Sequence, residues 1–237
     1  MVKFNSATRL FGKVSAESEW RFLVNETLAG EKLIVGFLKD ILAMGIPSKF
    51  LNESLKKQVD EEIEHVRMYH KLVGADKLRS SGYDIHLKKV VQDLNSVTLK
   101  LFALQGMLEG MALGALDYRI LNWNEGPSFN VDSIAKLEES EHVGFSYSSF
   151  SDLIRFEGRI SMCEFKRVQK QVNKIFSTAF NGAVIVDLLD PLDSFEIEAQ
   201  AIEDSVAMKS FRRNSAKIVL SAANAFIDNY FLAAENV

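Results

Sequence analysis

The 237-residue sequence predicts an all-α protein, built as a four-helix bundle with one long crossover and additional C-terminal helices. Three observations carry that reading. Long stretches rich in Leu, Ala, Glu, Lys and Met repeat apolar residues at three- and four-residue spacing. Alternating β-branched runs joined by hairpin turns are missing. The three prolines, Pro47, Pro127 and Pro191, stand in loop-like patches, "MGIPSKF", "NWNEGPSFN" and "LLDPLDSF", that punctuate the helical stretches.

The first helix is expected over about 16–43, where the stripe Trp20, Val24, Thr27, Leu28, Glu31, Ile34, Val35, Leu38, Ile41, Leu42 includes a glutamate in its middle. A second is expected over 50–73, a third over 91–122 and a fourth over 131–155. The first and second are joined by a short turn, as are the third and fourth. "GADKLRSSGYDIHLKK" between the second and third is long enough to travel the length of a bundle. Residues 156–180 and 192–234 read as further helices packed on the bundle, and "AVIVDLL" at 183–189 is a short apolar run with no clear assignment. No Gly/Ser-rich linker divides the chain, so residues 1–237 are read as one domain, its core bundle over about 16–155 and extra helices over about 156–237.

Composition removes several function classes. A net charge of −4 and the lack of a long Lys/Arg block argue against nucleic acid as a partner. One cysteine, Cys163, excludes an internal disulfide and a CxxC metal knot, which fits a cytoplasmic location; it is expected as a small core residue. The beginning of the chain lacks a secretory apolar region, and no uninterrupted apolar run reaches the length of a membrane span.

The chemistry sits in a repeated spacing. "VDEEIEHVRMYHKLVG" places Glu62 three residues before His65, and "LEESEHVGFSYSSF" places Glu139 three residues before His142. Residues i and i+3 share a helix face, so a carboxylate and an imidazole so spaced can reach one ion from the same side. Two antiparallel helices bring residues to one level when these lie equidistant from the connecting turn. Glu31 and Glu62 have their midpoint at Ile46–Pro47, and Glu109 and Glu139 have theirs at Asn124, both within the expected turns. Glu26, the rival of Glu31, has a midpoint off the turn and lies away from the apolar stripe. Four inward carboxylates and two imidazoles form a ligand set for two divalent metals. Without cations, burying those carboxylates would cost several kcal/mol each.

Glu31, Glu62-Ile-Glu-His65, Glu109 and Glu139-Ser-Glu-His142 together resemble the signature of the ferritin-like di-iron carboxylate superfamily, over roughly residues 16–150. Chain length and the EExxHxxF reading of Glu138, Glu139, His142 and Phe145 are most similar to small O2-activating oxygenases such as aldehyde-deformylating oxygenases. The resemblance implies that Glu62 and Glu139 bridge or chelate, that Glu31 and Glu109 are terminal ligands, and that His65 and His142 each bind one metal. It further implies two Fe ions (Mn or a mixed Mn/Fe pair being alternatives) and a di-iron oxidoreductase using O2, an external electron donor such as ferredoxin, and a small apolar substrate of fatty aldehyde or acyl type. The expected assembly is a monomer or homodimer. Other readings stay open: a ferroxidase or iron-storage protein, a manganese catalase, a radical-generating subunit in which Tyr69, one turn after His65, carries the radical, and, if no metal is held, a helical interaction protein. Gly110 and Gly114, beside a ligand on the third helix, are expected to leave an apolar cavity. His70 and His86 lie off the ligand faces and are expected at the surface.

Overall fold

A computed structural model describes residues 16–46, 48–74, 83–145, 149–179 and 206–237. The described residues form eight helices and no strand: α1 Ala16–Ala43, α2 Lys49–Val73, α3 Tyr83–Gln92, α4 Val97–Asn122, α5 Phe129–Phe145, α6 Phe150–Glu157, α7 Met162–Ala179 and α8 Val206–Ala234. The expected run at 183–189 and the first part of the expected 192–234 helix lie outside the described residues.

Local chemistry sets the boundaries. Ser48 caps α2 by accepting the Leu51 amide at 3.3 Å, and Gly74, at φ +79°, ends it in a conformation that other residues rarely take. Of the single helix expected over 131–155, the described residues form α5 up to Phe145 and α6 from Phe150, and residues 146–148 lie outside them. The helix expected from 156 starts only at Met162. Gly158 at φ +82° ends α6, and Ser161 with Glu164 forms a reciprocal capping box, the Ser161 amide donating to Glu164 at 2.9 Å and the Glu164 amide to Ser161 Oγ at 3.3 Å. The connection between α2 and α4, expected as a plain crossover, contains α3, which packs on α1 and α7. Cys163, expected in the core, is exposed in the first turn of α7. His86 is exposed and His70 half-buried.

α1 packs on α2, α2 on α5, α5 on α4 and α4 on α1. α4 is long and apolar enough to cross a bilayer by composition alone, but most of its surface is covered by protein, as the central helix of a packed core requires. α8 covers its outer side. Gly106, Gly110 and Gly114 form a smooth stripe there. A Cβ on Gly110 would come 3.1 Å from the Val219 Cα, and one on Gly114 would come 2.8 Å from the Ser215 Cβ. The space expected at these glycines as a cavity is therefore filled by the α8 backbone.

The apolar interior has two parts. One joins the ends of α1 and α2 near their turn to α3, the first half of α4, α6, α7 and α8, with Phe102, Phe150, Phe165, Phe226 and Tyr230 in edge-on contact. The other surrounds Trp20, Leu28, Tyr69, Leu116 and Trp123. Between them, at the level of Glu31, Glu62 and Glu109, lies a polar layer.

Candidate metal centre

All six residues singled out by spacing enter that layer, and all are buried, from 0% exposed for Glu62, His65, Glu109 and Glu139 to 4% for His142. Each helix of α1, α2, α4 and α5 supplies its share from one face. They form two overlapping groups, Glu31, Glu62, His65, Glu139 and Glu62, Glu109, Glu139, His142, within each of which one donor atom per residue lies within 4.8 Å of the others. Glu26 is buried close by but belongs to neither group.

The shared carboxylates face both histidines. Glu62 turns Oε2 to His65 Nδ1 at 3.2 Å and Oε1 to His142 Nδ1 at 3.1 Å. Glu139 does the reverse, Oε1 to His65 Nδ1 at 3.5 Å and Oε2 to His142 Nδ1 at 3.1 Å. Glu31 Oε2 lies 3.6 Å from His65 Nδ1, and Glu109 Oε1 lies 3.9 Å from His142 Nδ1. Both rings thus aim Nδ1 into the cluster.

The outer nitrogens are engaged crosswise. His65 Nε2 lies 2.6 Å from Glu138 on α5, and His142 Nε2 lies 3.2 Å from Glu61 on α2, which also accepts from Lys57 at 2.8 Å. These two pairs put α2 and α5 in antiparallel register. A carboxylate on the outer nitrogen fixes the ring's orientation and leaves the inner nitrogen free to coordinate. Spacing alone assigned no role to Glu61 or Glu138; the doubled Glu-Glu before each histidine was the available signal.

Electrostatics shows what the cluster lacks. Burial, reinforced by neighbouring Glu62 for one and Glu139 for the other, pushes the carboxyls of Glu31 and Glu109 well above their usual range. Burial opposes ionisation of Glu62 as well, but hydrogen bonds from His142 and His65 win and hold it low. In Glu139 the same histidines outweigh burial and the Glu62 charge. Burial disfavours both imidazolium ions, yet the carboxylates raise His65 far above its usual value and His142 to about 10. These shifts favour protons on Glu31, Glu109, His65 and His142 in the metal-free chain, where among the described residues the four carboxylates pair with histidines and with no Lys or Arg. Both oxygens of Glu31, Oε2 of Glu109 and Oε1 of Glu139 are buried with no hydrogen-bond partner. Such orphaned acceptors are costly. Two divalent ions would use them, and their charge equals that of four carboxylates. An ion with bonds of roughly 2.1 Å would need only small side-chain shifts to close either group. The residues present fit a metal, and the buried clusters could bind one.

Above this layer, Arg119 and Asp132 form a fully buried ion pair at 2.7 Å. Tyr69 donates to Asp132 at 3.0 Å, and Arg119 donates to the Tyr69 hydroxyl at 3.2 Å and to Thr27. All four helices meet in this knot, which makes Tyr69 a structural member of the core. A cavity of about 70 Å³ opens between α1 and α4, lined by Glu26, Thr27 and Glu31 together with Leu23, Ile34, Leu108, Met111, Ala112, Ala115 and Phe176.

The chain matches no protein-family model, no curated protein and no solved structure.

Proposed function

We propose that the chain is a ferritin-like dimetal oxidoreductase that uses O2, with electrons from an external donor such as a ferredoxin, to oxidise a small apolar substrate of aldehyde or acyl type. The observation that carries this reading is the way Glu62 and Glu139 each turn one oxygen to either histidine, the disposition of carboxylates shared by two ions. The helix directions support it. With α1 and α2 joined by a short turn, α4 and α5 likewise, and α2 antiparallel to α5, α2 and α4 run in the same sense, the arrangement that a long crossover between them would give.

Two iron ions held here would supply adjacent redox centres for reducing O2. The residues would do the rest. Glu62 and Glu139 hold the pair together, Glu31 and Glu109 close its two sides, and Glu138 and Glu61 keep the histidine rings oriented. The mostly apolar lining beside Glu31 favours a hydrocarbon over a polar substrate. Tyr69, donating to Asp132, is engaged away from the ligands, which favours oxygenase chemistry over a radical-carrying tyrosine.

The test is O2 consumption and product analysis with Fe(II)-loaded protein, reduced ferredoxin and straight-chain aldehydes of graded length. Product that disappears in Ala112→Phe, a variant that fills the cavity while keeping its metal, supports the oxygenase. Fe(II) oxidation with no organic product, in a protein assembled as a large cage, would replace it with ferroxidase storage.

A further inference from the structure

The two halves of the centre repeat each other in their ligands but not in what surrounds them. One turn before Glu62 stands Gln58, 1% exposed, whose Nε2 donates to Glu109 Oε1 at 2.8 Å and lies 3.5 Å from Glu62 Oε1. Gln58 is in turn held by Gln105, 0% exposed, which donates from Nε2 to Gln58 Oε1 at 3.2 Å. Gln105 lies in a π-helical turn, Phe102–Leu108, that closes on Glu109: the Glu109 amide bonds to the Leu104 carbonyl, five residues back. The remaining Gln105 oxygen is buried with no partner.

The corresponding positions of the other half carry no amide. One turn before Glu139 is Ala135, fully buried and unable to hydrogen-bond through its side chain. One turn before Glu31 is Thr27, whose hydroxyl donates to the Leu23 carbonyl at 3.0 Å and accepts from Arg119. Glu31 consequently keeps both oxygens free, whereas Glu109 keeps only Oε2.

We propose that Gln58, positioned by Gln105, weakens Glu109 as a metal donor by holding the oxygen that faces His142, and makes the two metal positions unequal, so that they fill in separate steps, the Glu31 position first. The inference rests on the dimetal reading above. Glu31 can offer two donor atoms without breaking any bond. On Glu109 the Gln58 amide takes one lone pair of Oε1 and draws charge from the carboxylate, and such bonds to a charged group are among the stronger ones, so Glu109 donates to an ion more weakly than Glu31. Glu31 also adds a second oxygen to a group whose histidine is fully buried. Gln58 and Gln105 are positioning residues, acting on Glu109 through the Gln58 amide.

The experiment is calorimetric titration of the metal-free full chain with Mn(II) alone. Wild type is expected to bind in two steps whose dissociation constants differ about tenfold or more, the range set by one hydrogen bond to a charged group. Glu31→Ala should remove the tighter step and Glu109→Ala the weaker. Gln58→Met, similar in volume but without the amide, should leave the first step unchanged and tighten the second until the two differ by about threefold or less. Gln105→Met should shift the ratio in the same direction by less, and carries the test if Gln58→Met does not fold. A merely structural role would weaken both steps together. Two ions bound in one step by wild type, or a ratio untouched in both variants, overturns the inference and leaves the dimetal reading standing. No Mn(II) bound at all sinks both.

Discussion

Removing the carboxylate behind one histidine should weaken metal binding without touching a ligand. His65 Nε2 and Glu138 Oε2 lie 2.6 Å apart, a short, charge-assisted contact to a fully buried ring from a side chain that is 35% exposed. A hydrogen bond to a charged group contributes about 1.5–3 kcal/mol net. Exposure of Glu138 lets water compete, which places the loss near the lower end, about tenfold in affinity. Glu61 sits 3.2 Å from His142 and is already shared with Lys57, so its removal should cost about threefold. Mn(II) titration of Glu138→Ala and Glu61→Ala measures both. Glu138→Gln should recover part of the loss, because an amide oxygen still accepts the ring N–H while the charge is gone. Wild-type affinity in Glu138→Ala, or a larger loss in Glu61→Ala, would refute the reasoning that these carboxylates orient the rings.

The close approach of α8 to α4 makes Gly114→Ala destabilising, by about 1–2 kcal/mol after the gain in helix preference. Gly36→Ala, in open space on α1, should instead stabilise by about 0.4–1 kcal/mol; thermal unfolding of the two variants checks the opposite signs. Asp132→Ala leaves Arg119 buried without its partner and should cost about 3–5 kcal/mol, seen as a fall in Tm of roughly 6–20 °C. The metal-free protein should lose stability in denaturant titrations between about pH 5 and 10. Glu31, Glu109, His65 and His142 have folded-state pKa values above their unfolded ones, so their contribution is complete below the unfolded values and is lost as pH rises through the folded ones. Glu62 and Glu139 act in the opposite sense and lose theirs only as pH falls below about 4.5. Metal affinity should rise over the same window, because those four protons must leave; a metal-free stability that climbs toward pH 10 would contradict the proton assignment.

Periodicity and equal distance from a turn were enough to bring Glu31, Glu62, His65, Glu109, Glu139 and His142 to one level, because both depend only on helix geometry along the chain. The partners of those residues were hidden for the converse reason. Glu61 and Glu138 sit one residue from a ligand, about 100° around the helix, where a glutamate reads as solvated; only the antiparallel contact of α2 with α5 gives them a role. Gln58 and Gln105 depend on a π turn that no residue pattern announces. The cavity was expected at Gly110 because a missing side chain looks like space along one helix. α8, distant in sequence, takes that space, and the opening lies beside Glu31 instead. The Ser161–Glu164 capping box, by contrast, was readable as S-x-x-E and marks the start of α7 better than apolar spacing does.

The buried carboxylate and histidine layer is proposed to hold two metals through the shared glutamates Glu62 and Glu139. Metal content per chain by plasma emission spectrometry, after anaerobic Fe(II) loading and desalting, tests it directly. Wild type should retain about two ions, Glu31→Ala or Glu109→Ala at most about one, and Glu62→Ala almost none, because Glu62 belongs to both groups. A wild-type protein that retains no metal, or a Glu62→Ala variant that retains as much as wild type, would contradict it.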